Sequence, residues 1–510
     1  MKKILKITLS VALAFVCLFS FTACKKKISA TTVDTSKVAA SNGESTNGGI
    51  SVVHDGYLYF INGMKTNDGT GLSGNKKSAI CRVEYNNGTI DEDTYEIVVD
   101  DLVGFEDGSL YVFGDFLYYT TPCSDKNNKA TVLYNKTSFM RYDLVNEKSY
   151  EIFTTAQNVA DEAITYAYYV VGDKLNLVVY EKKNATITSL NINKKVTTNY
   201  VISGVESCVL GENNGIKVTT DSEKDANNFV FYTTGHSSVE EDKIQTGNKV
   251  YRTSPVTNDS SLICDNGSSI SILMVRNGKL VYACDTRLYA ELITGAKNET
   301  LKLDTANVIA HNYSTEASYL FIENEDGSIS VLYYDSTAYN LNIITWKNSV
   351  LEPVTIQEFT KDDKFEFITT TTLTETEEAE GDEPAETHDV TYLIYINNKK
   401  LYKIEIALDG KYSDSVFAEP IQLTTTEVTS ATGLLVPEVV DDYVYIFALD
   451  SNKSTYLHRT DVTIDVNVSE LEEDDDKKAK FVGIKDKADA EKDAEAAKKE
   501  EEKKKEEDKK

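Results

Sequence analysis

Gly69-Thr70-Gly71-Leu72-Ser73-Gly74 has the glycine spacing of a dinucleotide-binding turn, one of few places where residue type and spacing suggest chemistry. Such a turn cradles a pyrophosphate only where a strand runs into a helix N-terminus. Here it separates two strand-like runs, DGYLYFIN (Asp55 to Asn62) and AICRVEY (Ala79 to Tyr85), so it reads as a hairpin loop. The histidines His54, His236, His311, His388 and His458 form no HExxH motif and no close pair, which gives a metal site no support. No GxSxG nucleophile elbow occurs, and TTGHSS around His236 reads as a polar turn. Glu323-Asn324-Glu325-Asp326-Gly327 offers carboxylates to calcium but lacks the twelve-residue EF-hand spacing and its distal Glu, so it too reads as a turn. Paired acids are too common in this acidic chain to mark a site. The expectation is therefore no catalytic residue, no cofactor and no resident metal.

Cysteine chemistry is equally sparse. After Cys24 come Cys81, Cys123, Cys208, Cys264 and Cys284, with no CxxC, so neither a redox pair nor a zinc knuckle is indicated. Cys81, Cys208 and Cys284 sit in apolar strand contexts (SAICRV, ESCVLG, VYACD) and read as small buried hydrophobes. Five is an odd number, so internal disulfides cannot use them all; a single bridge stays open.

The elements that would hold any site repeat. DGYLYFIN is answered by AICRVEYNNG, GDFLYYTT by SFMRYDLVNEK, NNFVFYTT by NKVYRTSPV. NGKLVYACD, ASYLFIENEDGSISVLYYD, TYLIYINNKKLYKIEIALDG and DDYVYIFALD with STYLHRTDV follow. In a strand, Tyr57 and Tyr59 face one side while Leu58 and Phe60 face the other. Both faces are bulky and apolar, unlike a sheet with one wetted face. Phe116 to Tyr119, Phe229 to Tyr232 and Tyr443 to Ile446 repeat that character. Small sheets wedged between copies of themselves satisfy it, and that arrangement is a β-propeller; the alternative is an ordinary β-sandwich. Leading strands start near Tyr57, Phe116, Leu175, Phe229, Leu280, Tyr319, Tyr392 and Tyr443, mostly about 40 to 60 residues apart. The expected fold is all-β, one propeller of seven or eight blades. Gly48 to Val53 is expected to complete the sheet of the last blade and close the ring.

LYYTT, FYTTG, LYFIN and ALDG are similar to degenerate Tyr-Trp-Thr-Asp and Leu-Asp-Gly repeats of low-density-lipoprotein-receptor-type propellers. More closely, residues 49 to 467 resemble the receptor-related-protein-like propeller of unknown function found in bacterial lipoproteins. The receptor tryptophan is absent: Tyr119 or Tyr232 stands near its place, and Thr121 or Thr234 where its acid would follow. The resemblance implies architecture and not the blade contacts that depend on that tryptophan and acid.

The ends differ from the body. Residues 1 to 24 carry Lys2, Lys3 and Lys6, an apolar run from Ile7 to Ala23, and then Phe21-Thr22-Ala23-Cys24. This resembles a bacterial lipoprotein signal, which implies that Cys24 is lipidated, palmitate among the expected acyl groups; an uncleaved anchor helix is the alternative. Lys25 to Lys27 would meet anionic headgroups, and residues 25 to 48 read as a flexible tether. Residues 49 to 468 form the propeller. Within it, Val159 to Tyr169 fits a helical turn or a strand. Residues 361 to 389 are acidic, threonine-rich and nearly free of large apolar groups, so they read as a solvent-exposed loop inserted into a blade. Residues 469 to 510 read as a charged tail, disordered or a lone helix.

The formal net charge of −29 argues against nucleic acid, whose binders present basic surfaces. Together these features predict a binding or scaffolding lipoprotein on the outer face of a Gram-positive-type cell membrane. Its ligand would be a protein, a peptide or a cell-wall glycan, met by loops on one propeller face. The rivals are a propeller hydrolase or lyase with an acid site in its channel, and an assembly factor for secreted or membrane proteins.

Overall fold

The structure is a computed structural model. It describes Asn47, most of residues 51 to 461, and 480 to 483. Outside the description lie 1–46, 48–50, 62–78, 104–109, 124–135, 212–216, 219–225, 312–316, 347–353, 377–386, 408–419, 435–442, 462–479, 484–510 and some shorter stretches. Cys24 and Gly69 to Gly74 fall there, so the expectations placed on them lie outside the described residues.

The chain builds one antiparallel meander after another. Blade 1 is β1 (Ser51–His54), β2 (Tyr57–Ile61), β3 (Ile80–Asn86) and β4 (Thr89–Val99). Blade 2 is β5 (Tyr111–Phe113), β6 (Phe116–Pro122), β7 (Lys136–Asp143) and β8 (Lys148–Asn158). Blade 3 is β9 (Ile164–Val171), β10 (Lys174–Glu181), β11 (Thr186–Asn191) and β12 (Thr197–Ser203). Blade 4 starts with β13 (Val205–Leu210); β14 (Lys217–Val218) then returns to pair in parallel with β9. Blade 4 continues with β15 (Val230–Thr234), sets out a small hairpin of β16 (Val239–Glu240) and β17 (Lys243–Ile244), and ends with β18 (Lys249–Thr253) and β19 (Ser261–Cys264). Blade 5 is β20 (Ile270–Arg276), β21 (Lys279–Cys284), β22 (Arg287–Leu292) and β23 (Val308–His311). Blade 6 is β24 (Ala317–Glu323), β25 (Ile329–Asp335), β26 (Asn340–Trp346) and β27 (Val354–Glu358). Blade 7 is β28 (Phe365–Thr376), β29 (Thr387–Asn397), β30 (Lys400–Glu405) and β31 (Ile421–Gln422). An eighth meander, described by its backbone pairing, is β32 (Val428–Leu434), β33 (Tyr443–Asp450), β34 (Thr455–Asp461) and β35 (Lys480–Gly483).

Two-faced strands explain why these sheets stack. On β6, Leu117 and Tyr119 share a core with Val52, Tyr59 and Ile80 of blade 1. Their neighbours Phe116 and Tyr118 turn to Tyr168, Val170 and Leu177 of blade 3. The alternation then repeats around the molecule. Leu177 of β10 packs toward blade 2 while Val178 and Tyr180 pack on Val205, Val230 and Tyr232 of blade 4. Tyr282 faces blade 4 and Val281 faces blade 6; Val331 faces blade 5 and Leu332 faces blade 7. Seven blades thus have their side-chain packing described, and the fold is a β-propeller. Leu58, Leu117, Leu177 and Leu280 are fully buried, as a doubly covered sheet requires.

Several expectations are corrected. The aromatic strand does not lead its blade: β2, β6, β10, β15, β21, β29 and β33 are second strands, each preceded by an inner strand. Tyr319 alone among those starts lies on an inner strand, β24. The short inner strands, such as YVF at β5, carry too few residues to announce themselves. Ser51 to His54 pairs with β2 of its own sheet rather than completing the last blade. Residues 164 to 169 are strand, settling the choice between helix and strand there. The acidic insertion is largely a β-ribbon, because β28 and β29 pair from Phe365↔Asn397 out to Thr376↔Thr387. Its threonines read as loop from their polarity, although β-branched Thr suits a strand. Lys480–Gly483 supplies an outer strand to the eighth meander from inside the expected tail, through Phe481 and Val482.

The first hairpin turn shows local cause directly. Asp55 and Gly56 hold φ of 49° and 76°, the left-handed pair a tight β1–β2 turn requires, which an Asp-Gly sequence tolerates well. Just upstream, Asn47 is buried and copies a strand neighbour. Its side-chain amide donates to Val112 O at 3.2 Å and accepts from Val112 N at 2.8 Å.

Candidate functional site

No chemistry-bearing cluster was legible beforehand, but the register brings one recurring arrangement together. On the third strand of blade 2, Arg141 stands opposite Tyr118, and its guanidinium lies 4.7 Å over the ring of Phe116, two residues back. Blade 1 repeats this with Arg82 opposite Tyr59 and 4.4 Å over Tyr57. Blade 4 has Arg252 opposite Phe231 and 4.8 Å over Phe229. Blade 7 has Lys403 opposite Ile394, its ammonium 4.5 Å over Tyr392. In the eighth meander Arg459 takes the same register, opposite Tyr445. A cation over an aromatic face gains from the ring quadrupole, and more when water is excluded.

The arginines also reach to the next element. Arg141 Nη1 donates to the carbonyls of Ile192 at 3.4 Å and Asn193 at 3.1 Å, in blade 3. Arg252 Nη1 lies 2.7 Å from Glu299 Oε2, in the connection between β22 and β23 of blade 5, and both side chains are nearly buried. Arg82 bonds Glu96 of its own blade and sits 3.5 Å from the Tyr59 hydroxyl, on a wetter edge. Two residues after Arg141, Asp143 accepts from Val145 N at 3.0 Å and Asn146 N at 2.9 Å, fixing the β7–β8 turn. The sequence signal, missed when only the aromatic strands were read, is the third-strand series RVE, RYD, RTS, KIE and RTD.

The tyrosines serve the core. Three blades stack a tyrosine pair across strands two and three: Tyr232 on Tyr251, Tyr282 on Tyr289 and Tyr395 on Tyr402, with centroids 5.2, 5.1 and 5.5 Å apart. Burial pushes the phenols of Tyr118 and Tyr180 up to about 12. Burial raises Tyr119, Tyr200 and Tyr282 as well; Tyr119 donates to Asp101 at 2.7 Å and Tyr282 to Glu291 at 2.9 Å. Glu291, inside blade 5, has its carboxyl raised by the same burial, although Lys302 N donates to it at 3.1 Å. Burial thus disfavours the charged form of each of these phenols and of the Glu291 carboxyl. Cys208 and Cys284 follow the same rule, their thiols raised by burial.

The residues singled out beforehand do not converge. Cys81, Cys123, Cys208, Cys264 and Cys284 are all free thiols, so no bridge forms among them. His54 lies 3.4 Å from its neighbour Asp55, while His311, His388 and His458 sit on β23, β29 and β34 in three different sheets; His236 is outside the described residues. Of Glu323 to Gly327, only Glu323 is described, at the end of β24. Among the described residues no group of three His, Cys, Asp or Glu is arranged to hold a metal, and no helix is long and apolar enough to cross a membrane.

No family model and no curated protein matches the chain. Solved structures do match, at low identity. The WD40 domain of SCAP from fission yeast is 8% identical, with a TM-score of 0.41 over 81% of this chain and 95% of that one. The β-propeller domain of the Trilobed protease from Pyrococcus furiosus, described as having an open velcro topology, is 10% identical, with a TM-score of 0.34 over 74% and 99%. A prolyl endopeptidase is 11% identical, with a TM-score of 0.40 over 73% of this chain, which spans about half the length of that enzyme. These scores carry no functional argument. The fold rests on the sheets themselves.

Proposed function

We propose that this chain is a binding or scaffolding module of the bacterial cell envelope, a propeller lipoprotein held at the outer face of the membrane by a lipidated Cys24. The reading rests on one structural observation, the arm that blade 7 raises from one face. Tyr57, Phe116 and Tyr392 occupy equivalent positions, each opposite an acid of strand three (Glu84, Asp143, Glu405). The next backbone bond is also equivalent: Tyr85 N to Gly56 O, Leu144 N to Asp115 O, and Ile406 N to Thr391 O. In blades 1 and 2 the first hairpin closes right there, at His54↔Tyr57 and Phe113↔Phe116. In blade 7 the ladder runs on through Thr391, Val390, Asp389, His388 and Thr387. At about 3.4 Å per residue, that is roughly 17 Å of ribbon beyond the shared level.

Beyond Val390, which is still buried, the extension carries no large apolar residue, and this supports a role in meeting a partner. Eight acids and no Lys or Arg lie between Glu375 and Asp389, which suits a partner presenting basic groups, a protein or peptide ahead of a neutral glycan. The resemblance to receptor-related-protein-like lipoproteins supports the same placement. The test is retention of envelope components by the purified full chain, compared with a chain whose ribbon is cut back to Leu373 and Val390, which keeps the buried Val390. Salt-sensitive retention by the intact chain and loss with the shortened one is expected; equal retention by both would remove the arm from recognition. In cells, Cys24→Ala is expected to release the protein from membranes into the medium, read by fractionation and by incorporation of labelled palmitate.

A further inference from the structure

Seven buried side-chain polar atoms among the described residues have no hydrogen-bond partner, and five of them belong to four residues of blades 2 and 3. They are Arg141 Nε and Nη2, Tyr118 Oη, Thr120 Oγ1 and Tyr168 Oη. Tyr118 and Thr120 share one face of β6, the face Arg141 occupies on β7, and Tyr168 meets them from β9 of blade 3. The Tyr118 and Tyr168 rings are 5.3 Å apart, and Arg141 sits in register opposite Tyr118. Arg141 is fully buried, the bulkiest such side chain described.

A guanidinium is always charged, and stripping it of water costs several kcal/mol unless a partner compensates. Here the Phe116 face and two carbonyls on Nη1 compensate in part. Among the described residues no carboxylate forms an ion pair with Arg141, in contrast to Arg252 with Glu299 in the equivalent place. The remaining groups are rich in donors: three guanidinium N–H bonds, one on Nε and two on Nη2, and the hydroxyls of Tyr118, Thr120 and Tyr168. A water accepting from Arg141 could pass its own hydrogens to hydroxyl or carbonyl oxygens, but it would leave the guanidinium charge without a counter-charge. An anion accepts from every donor present and neutralises the charge.

We propose that the junction of blades 2 and 3 binds a small inorganic anion of chloride size, held by Arg141 Nε and Nη2 and by the Tyr118 hydroxyl, with Thr120 and Tyr168 lining it. It would play for Arg141 the part that Glu299 plays for Arg252, as a structural ligand sealed between blades and independent of what the propeller faces recognise.

The experiment is a thermal melt of the full chain in sodium chloride against sodium gluconate at equal ionic strength, so that screening of the acidic surface cancels. A ligand that binds only the folded state raises the melting temperature steadily with each tenfold increase above its dissociation constant. The wild type is expected to show that rise with chloride, Tyr118→Phe a weakened one, and Arg141→Met none. Should Arg141→Met fail to fold, Tyr118→Phe still carries the comparison, and crystals grown in bromide are expected to show an anomalous peak beside Arg141. Identical melts in the two salts, a chloride response unchanged in Tyr118→Phe, or bromide crystals with no peak there would overturn the proposal.

Discussion

At the scale of single residues, equivalent positions are weighted differently by burial. Arg252 and Arg82 both stack on a ring and both meet a glutamate, yet Arg252 and Glu299 are 6% and 12% exposed while Arg82 and Glu96 are 29% and 48%. Arg252→Met strands a buried carboxylate and is expected to cost about 3–5 kcal/mol. The comparable Arg82→Met removes a solvent-screened pair and should cost about 1 kcal/mol or less. Urea unfolding of the two variants beside the wild type reads the difference; equal losses would refute the weighting. Glu291 gives a pH signature. Its folded pKa lies above the unfolded one because burial disfavours the carboxylate, so its favourable contribution is complete below the ordinary glutamate range and fades as pH rises through the folded value. Relative to wild type, Glu291→Gln should therefore gain stability between acidic and neutral pH. A difference that stays flat, or reverses, across that window would contradict the assignment.

At the scale of elements, the recognition role proposed for the blade-7 ribbon can be tested apart from folding. Its outer pairs, from Thr372↔Thr391 to Thr376↔Thr387, lie past the level where other blades turn. Cutting the ribbon beyond Leu373↔Val390, so that the buried Val390 stays, is expected to leave the melting temperature unchanged while altering partner retention. A large drop in melting temperature would instead make the ribbon part of the core. This scale also shows what the amino-acid order reveals and conceals. Tyr57-Leu58-Tyr59-Phe60 announces a strand covered on both sides, because every position is large and apolar; Tyr59 and Phe60 are indeed almost fully buried. Which strand of the blade it forms is not announced, since the inner strand before it spans as few as three residues. Thr369 to Thr374 look soluble by composition while their β-branching favours pairing, and composition misled. Phe481 and Val482 were hidden by the charged residues around them. The cation-on-ring series was visible as RVE, RYD, RTS, KIE and RTD, but its meaning depends on cross-strand register, which only the paired strands supply.

At the scale of the whole molecule, each sheet is stable because its two neighbours cover it. Blade 2 is the clearest case: adjacent residues of β6 enter different cores, Leu117 toward blade 1 and Tyr118 toward blade 3. A row of such sheets leaves two apolar ends exposed, and a ring leaves none, which is the physical reason for closure. A propeller gathers the loops of its blades onto two faces, and the function proposed above assigns the blade-7 arm to one of them.

The most direct test is the distance between spin labels placed at Asp55, in the exposed β1–β2 turn, and at Asp461, at the end of β34. Sheets packed face to face about 10 Å apart and closed into a ring leave one such spacing between the first and last, so labels on their own side chains lie within about 20 Å of each other. A single narrow distribution near that value is the expected result. Eight sheets in an open row would separate the labels by roughly 70 Å, and a distribution centred there would contradict the ring and the shared faces that depend on it.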